Sequence, residues 1–137
     1  MTLADTSAWV EYLRGTGSSV NLRLRDIIAR GEPLAVTEVV VMELLAGAAD
    51  DVRRDTLRRL LYRFELLSTG GLATYEAAAE LYRRCRSAGE TPRRMTDCLI
   101  AAVAIRAGAE VLHRDVDFEV LARHSELTTV ASSPDPP

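Results

Sequence analysis

Five carboxylates stand where solvation alone gives an acid little reason to be. Asp5 ends the apolar stretch "TLA" and opens "DTSAW"; Glu43 is the only charge in "VVVMELLAGA"; Asp97 lies within "RMTDCLIAAVA"; Asp115 and Asp117 follow the apolar "AEVL" in "HRDVDF". Each has an ordinary structural use. Asp5 suits a helix N-cap or turn, Asp97 a helix N-terminus, Asp115 and Asp117 a turn, and Glu43 a solvent-facing helix position. A common cleft gives all of them a further use. Like charges about 4 Å apart repel by roughly 4 kcal/mol per pair at an effective dielectric near 20, so a cluster holds either protons or a hard cation. Oxygen donors without a nearby histidine pair suit Mg²⁺, with Mn²⁺ as a substitute, better than zinc. Acid/base chemistry without metal would need such a pair, and the chain has only His113 and His124.

The elements that must position these acids alternate between strand and helix. "TLAD" is a short strand candidate, followed by a helix from about Ser7 to Leu13 and a break at "GTGSS". A second helix runs from about Ser19 to Arg30, closed by Gly31 and Pro33. "PLAVT" is a buried strand leading into a helix from about Glu38 to Ala46, with Gly47 as its stop. Leu57, Leu60, Leu61, Phe64 and Leu67 then follow the spacing of an amphipathic helix whose other face carries Arg53, Arg54, Arg58, Arg59 and Arg63. "FELLS" is a strand candidate, "GG" a turn, and Thr74 to Ala88 a helix. Thr96 is a suitable N-cap for a helix to about Ala107, which Gly108 closes before the strand "AEVLH". One short helix and the strand "ELTTVA" complete the pattern, and "SSPDPP" reads as a disordered tail.

Short apolar strands separated by helices imply right-handed crossovers and a parallel sheet of about five strands covered on both faces, a three-layer α/β/α domain. Ligands of such sheets bind outside the carboxyl ends of the strands, where strand order reverses. Asp5 and Asp115, each ending a strand, belong at that edge.

At 137 residues and 47% hydrophobic content the chain suits one domain with a proper core. No stretch approaches the roughly 20 apolar residues of a membrane helix, and the N-terminus lacks a signal-peptide pattern, which predicts a cytoplasmic protein without membrane attachment. Cys85 and Cys98 have no metal-ligand spacing and read as packed free thiols. All 17 basic residues are arginine, so chemistries that need lysine are excluded, such as the P-loop and the Schiff base. The net charge of -3 disfavours indiscriminate coating of nucleic acid but leaves local arginine clusters free to grip phosphate.

Taken in order and spacing, "ADTSAW", "MELLAG", "TDCLIAAVA" and "RDVDF" make the chain resemble the PIN-domain ribonucleases of the VapC type, toxins of bacterial toxin-antitoxin pairs. The resemblance runs from residue 2 to about 130, giving a PIN-like nuclease domain over 1–131 and the tail over 132–137. It implies a metal site of Asp5, Glu43, Asp97 and Asp115, with Asp117 as an auxiliary fifth acid and Thr6 or Ser7 orienting Asp5. The implied chemistry is divalent-metal-assisted hydrolysis of RNA phosphodiester bonds, in transfer RNA or another RNA with exposed loops. Arg14, Arg93, Arg94 and Arg114 are candidates for the RNA backbone. A homodimer and an antitoxin that covers the acidic cleft are likewise implied. The chain departs from the family pattern at His113, where threonine or asparagine is usual. The competing reading is a non-catalytic regulatory or RNA-binding domain acting through its arginine-lined surface.

Overall fold

Strand β1 (Thr2–Ala4) is wholly buried and lies at the centre of a parallel sheet of order β3-β2-β1-β4-β5, completed by β2 (Leu34–Val36), β3 (Glu65–Leu66), β4 (Glu110–Leu112) and β5 (Thr128–Thr129). The structure, a computed structural model, describes residues 1–131 and 133–137. The helices are α1 (Thr6–Arg14), α2 (Ser19–Arg30), α3 (Glu38–Ala46), α4 (Asp51–Leu61), α5 (Leu72–Ser87), α6 (Met95–Ala107) and α7 (Val116–Arg123).

The strand order fixes where the helices go. From β1 the chain steps outward to β2 and β3 through α1 to α4, then returns past β1 to β4 and β5 through α5 to α7. Because crossovers are right-handed, the two directions of travel place the two helix sets on opposite faces. Contacts agree: α1 packs on α2 and α3, while α6 packs on α5 and α7. The result is the three-layer α/β/α architecture expected from the sequence. Strand order reverses between β1 and β4, and there the amide of Asp5 donates to the carbonyl of Leu112 (3.1 Å). The strand ends that release Asp5 and Asp115 are therefore adjacent.

The core is continuous across the sheet, with Trp9, Leu3, Ile100, Val111 and Phe118 fully or almost fully buried. In α6 every residue from Asp97 to Ala104 is buried, as expected of a helix apolar on all sides. That total burial carries Asp97 inward with the rest. Cys85 and Cys98 are buried free thiols, as read from the sequence.

Three local readings need correction. Helix α4 ends at Leu61, so Phe64 and Leu67 lie beyond it although they continue its apolar spacing. Phe64 instead packs on Trp9, ring centroids 5.7 Å apart, so burial and not helical geometry accounts for its place in the pattern. Thr96 is not the N-cap of α6. The extended residue there is Arg94, no side chain caps the turn, and Thr96 lies one residue inside the helix. Helix α5 begins at Leu72, two residues before the expected start. In the tail, Ser132 lies outside the described residues. Residues 133–137 form no helix or strand, but Asp135 accepts from the amide of Ser19 (2.9 Å) and pairs with Arg114.

Candidate metal centre

Asp5, Glu43, Asp97 and Asp115 line one cleft of about 400 Å³ at the carboxyl edge of β1 and β4. Each acid arrives from a different element. Asp5 is the N-cap of α1, its Oδ1 accepting from the amide of Ala8 (2.9 Å), and the hydroxyl of Ser7 donates to the same carboxylate at 2.7 Å. Asp115 is the N-cap of α7, its Oδ1 accepting from the amide of Asp117 (3.0 Å). Asp97 enters from the first turn of α6 on one face of the sheet. Glu43 enters from α3 on the other, its Oε1 accepting from Thr6 Oγ1 at 2.8 Å.

The structural and functional readings of the sequence thus apply to the same side chains. Thr6 orients Glu43, whereas Ser7 orients Asp5. Ser7 does more than that, since its oxygen also accepts from the amide of Arg114 (2.8 Å), tying the turn after β4 to the turn after β1.

The electrostatics are those of acids held too close and too dry. Asp5, 2% exposed, is pushed up from 3.8 to about 6, chiefly by burial and in part by Asp115, against the pull of its hydrogen bonds to Ala8 and Ser7. Asp97 is pushed up to about 7, first by burial and then by the charges of Asp115, Asp5 and Asp117. Its Oδ2 is buried and meets no hydrogen-bond donor among the described residues. An orphaned carboxylate oxygen beside other acids lacks a positive partner. One carboxylate oxygen from each of Asp97, Asp115 and Asp117 lies within 4.8 Å of the others. Oxygens about 2.1 Å from a Mg²⁺ ion lie up to about 4.2 Å apart, so the Asp97 and Asp115 oxygens of this cluster need only a small contraction to share one. Among the described residues no histidine or cysteine lines the cleft, and the donor set is that of a hard cation.

Asp117 is set apart from the other four acids. It does not line the cleft, and both its oxygens face Arg93: Oδ2 accepts from the Arg93 amide (2.9 Å) and Oδ1 from its Nε (3.3 Å). The candidate RNA-gripping arginines are similarly divided. Arg94 and Arg114 line the cleft, Arg93 reaches Asp115 through Nη2 (2.8 Å), and Arg14 lines a separate apolar groove with Leu13, Leu44 and Leu57. Sequence reasoning missed Glu11, which lines the cleft and pairs with Arg114 at 3.2 Å. Its signal was available, because Glu11 follows Ser7 by four residues on one face of α1. It also missed Asp135, and nothing in "SSPDPP" points toward Arg114.

His113 replaces the expected threonine or asparagine without loss of the local bond. Its Nδ1 accepts from the amide of Asp115 (3.2 Å), the same residue-to-residue-plus-two bond that a hydroxyl or amide oxygen makes in such turns. Burial lowers its pKa, and its ring packs on Phe118 at 5.2 Å. His124 is engaged elsewhere, with Glu90 at 2.8 Å.

A central sheet that switches direction at an acid-lined edge defines a family of α/β domains, and the PIN domain model matches residues 2–124; the chain belongs to the PIN domain family. Among individual relatives it is 47% identical over 128 residues to VapC ribonuclease Mb1587 of Mycobacterium bovis, covering 93% of this chain and 96% of that protein. It is 37% identical over 119 residues to ribonuclease VapC19 of Mycobacterium tuberculosis, covering 85% and 90%. Among solved structures, VapBC2 from Rickettsia felis bound to a promoter DNA fragment superposes with a TM-score of 0.74 at 20% identity, covering 94% of this chain and 96% of that one. No helix among the described residues is long and apolar enough to cross a membrane.

Proposed function

We propose that the protein is a divalent-metal-dependent endoribonuclease, the toxin of a toxin-antitoxin pair, acting in the cytoplasm on transfer RNA or another RNA with exposed loops to arrest translation and growth. The observation that carries this reading is the convergence of Asp5, Glu43, Asp97 and Asp115 on one cleft, with a buried unpartnered oxygen on Asp97. Kinship with the VapC ribonucleases supports the ribonuclease and toxin assignment. A partner antitoxin that covers the cleft and assembly as a homodimer are part of this reading, and the fold is shared with chains of VapBC complexes.

Asp5, Asp97 and Asp115, with Glu43, would hold Mg²⁺ or Mn²⁺. The cation supplies Lewis-acid activation of water and neutralises charge on the scissile phosphate. Within the chain, Ser7 fixes Asp5 and Thr6 fixes Glu43, so the acids present their oxygens without reorganising when the substrate arrives. Arg94 lines the cleft beside the acids and offers a planar fork to a phosphate, whereas Arg114, held by Asp135 and Glu11, would first have to release them. Unpaired bases fit such an open cleft, because a splayed strand brings its backbone within reach where a duplex does not.

Induction of the chain in a bacterial host, followed by sequencing of RNA 5′ ends, tests the reading. Cleavage at defined sites is expected for the wild type and none for Asp5→Asn. With purified protein, excess EDTA abolishes cleavage and Mn²⁺ restores it. Cleavage that persists in EDTA, or in Asp5→Asn, overturns the proposal.

A further inference from the structure

We propose that Arg93 is an internal counter-ion of the acidic cleft, anchored by Asp117, which competes with the divalent cation for Asp115 and keeps metal binding weak. The inference rests on the metal-dependent reading above and concerns how the metal-free site holds its charge.

Asp117 is 4% exposed, and a buried carboxylate must find donors. Both of its oxygens find them on a single residue, Arg93. With its backbone amide and Nε committed to Asp117, Arg93 has one direction left for the rest of its fork, and Nη2 meets Asp115 Oδ1 at 2.8 Å. That oxygen belongs to an acid lining the cleft, whereas Arg93 itself does not line it. The guanidinium therefore sits beside the cleft, partly in solvent, as a positive charge held by two carboxylates. It contacts two of the three acids whose oxygens cluster within 4.8 Å.

A cation entering that cluster meets the guanidinium as a like charge and shares Asp115 with it. Asp117, occupied on both oxygens, acts as a positioning residue for Arg93 and not as a ligand. Lysine in this place would keep the charge but could not span both carboxylates from a planar fork.

The test is calorimetric titration of the purified full-length chain with Mn²⁺ at low ionic strength, comparing the wild type, Arg93→Gln and Arg93→Lys. The Arg93 side chain is 67% exposed and its backbone amide still donates to Asp117 in both variants, whose folding is checked by thermal melting beside the titration. Arg93→Gln is expected to bind Mn²⁺ about tenfold more tightly, a repulsion reduced from its buried value by solvent. Arg93→Lys stays within about twofold of the wild type. Unchanged or weaker binding by Arg93→Gln overturns the proposal, as does equal behaviour of the two variants, which a purely structural role gives. A wild type that binds Mn²⁺ and cleaves RNA while the variants fail to separate refutes the counter-ion alone. A wild type that neither binds Mn²⁺ nor cleaves RNA refutes the metal nuclease as well.

Discussion

Removing the charge of Asp97 stabilises the metal-free protein while abolishing its cleavage of RNA. Burial and the neighbouring Asp115, Asp5 and Asp117 raise the Asp97 carboxyl from 3.8 to about 7. Each tenfold change in proton affinity is worth roughly 1.4 kcal/mol, so the ionised side chain costs the metal-free fold about 4 kcal/mol. Between pH 3.8 and about 7 the folded protein holds a proton that the unfolded chain has released. Stability therefore falls as pH rises through that window and levels off above it. An asparagine carries no such charge and meets no repulsion from the neighbouring carboxylates. Allowing for relaxation of a cleft open to water, Asp97→Asn gains about 2–4 kcal/mol at pH 8 in EDTA, or roughly 6–15 °C in melting temperature for a domain of this size. At pH 5, where the wild-type side chain is mostly protonated, the gain shrinks to about 1–2 kcal/mol. Differential scanning calorimetry at the two pH values measures both quantities. A variant that melts no higher than the wild type at pH 8 in EDTA, or a gap that widens toward acid, refutes the account of the cleft.

Ser7→Ala removes the hydroxyl that donates to Asp5 and accepts from the Arg114 amide. It lowers stability by about 1–3 kcal/mol in urea denaturation and reduces RNA cleavage at least about tenfold at saturating metal. Phe118 is fully buried against His113. Phe118→Ala costs about 3–5 kcal/mol, read as a lower urea midpoint with unchanged slope.

Much of the fold was legible because its signals were local. The boundaries of α2 and α3 follow from their sequence punctuation, and the alternation of short apolar runs with helices is enough to require a parallel sheet. Local signals failed where tertiary packing decides. Phe64 continues an apolar period beyond its helix because the core beneath Trp9 needs it, and Thr96 has the chemistry of a cap without the position of one. The candidate site divides in the same way. Topology brings Asp5 and Asp115 to one edge, which strand ends foretell. The attachment of Asp117 to Arg93 spans 24 residues and that of Asp135 to Arg114 spans 21, and neither has a sequence signature.

Four acids share one cleft because the fold supplies part of their counter-charge. The N-termini of α1, α6 and α7 all open on it, through Asp5, Asp97 and Asp115. Each helix end contributes roughly half a positive charge, so three offset about 1.5 of the four negative charges. A deficit of about 2.5 remains, which Arg94 and Arg114 in the cleft lining and Arg93 on Asp115 offset in part, Arg114 being shared with Glu11 and Asp135. Burial first, and the neighbouring carboxylates after it, raise Asp5 to about 6 and Asp97 to about 7, so protons relieve part of that deficit at lower pH. On the proposed reading the same carboxylates would serve capping and metal binding: the cap bond takes Oδ1 of Asp5 and of Asp115 and orients each side chain. On the proposed reading, the charge that the helix ends leave uncompensated is what a hard dication would neutralise.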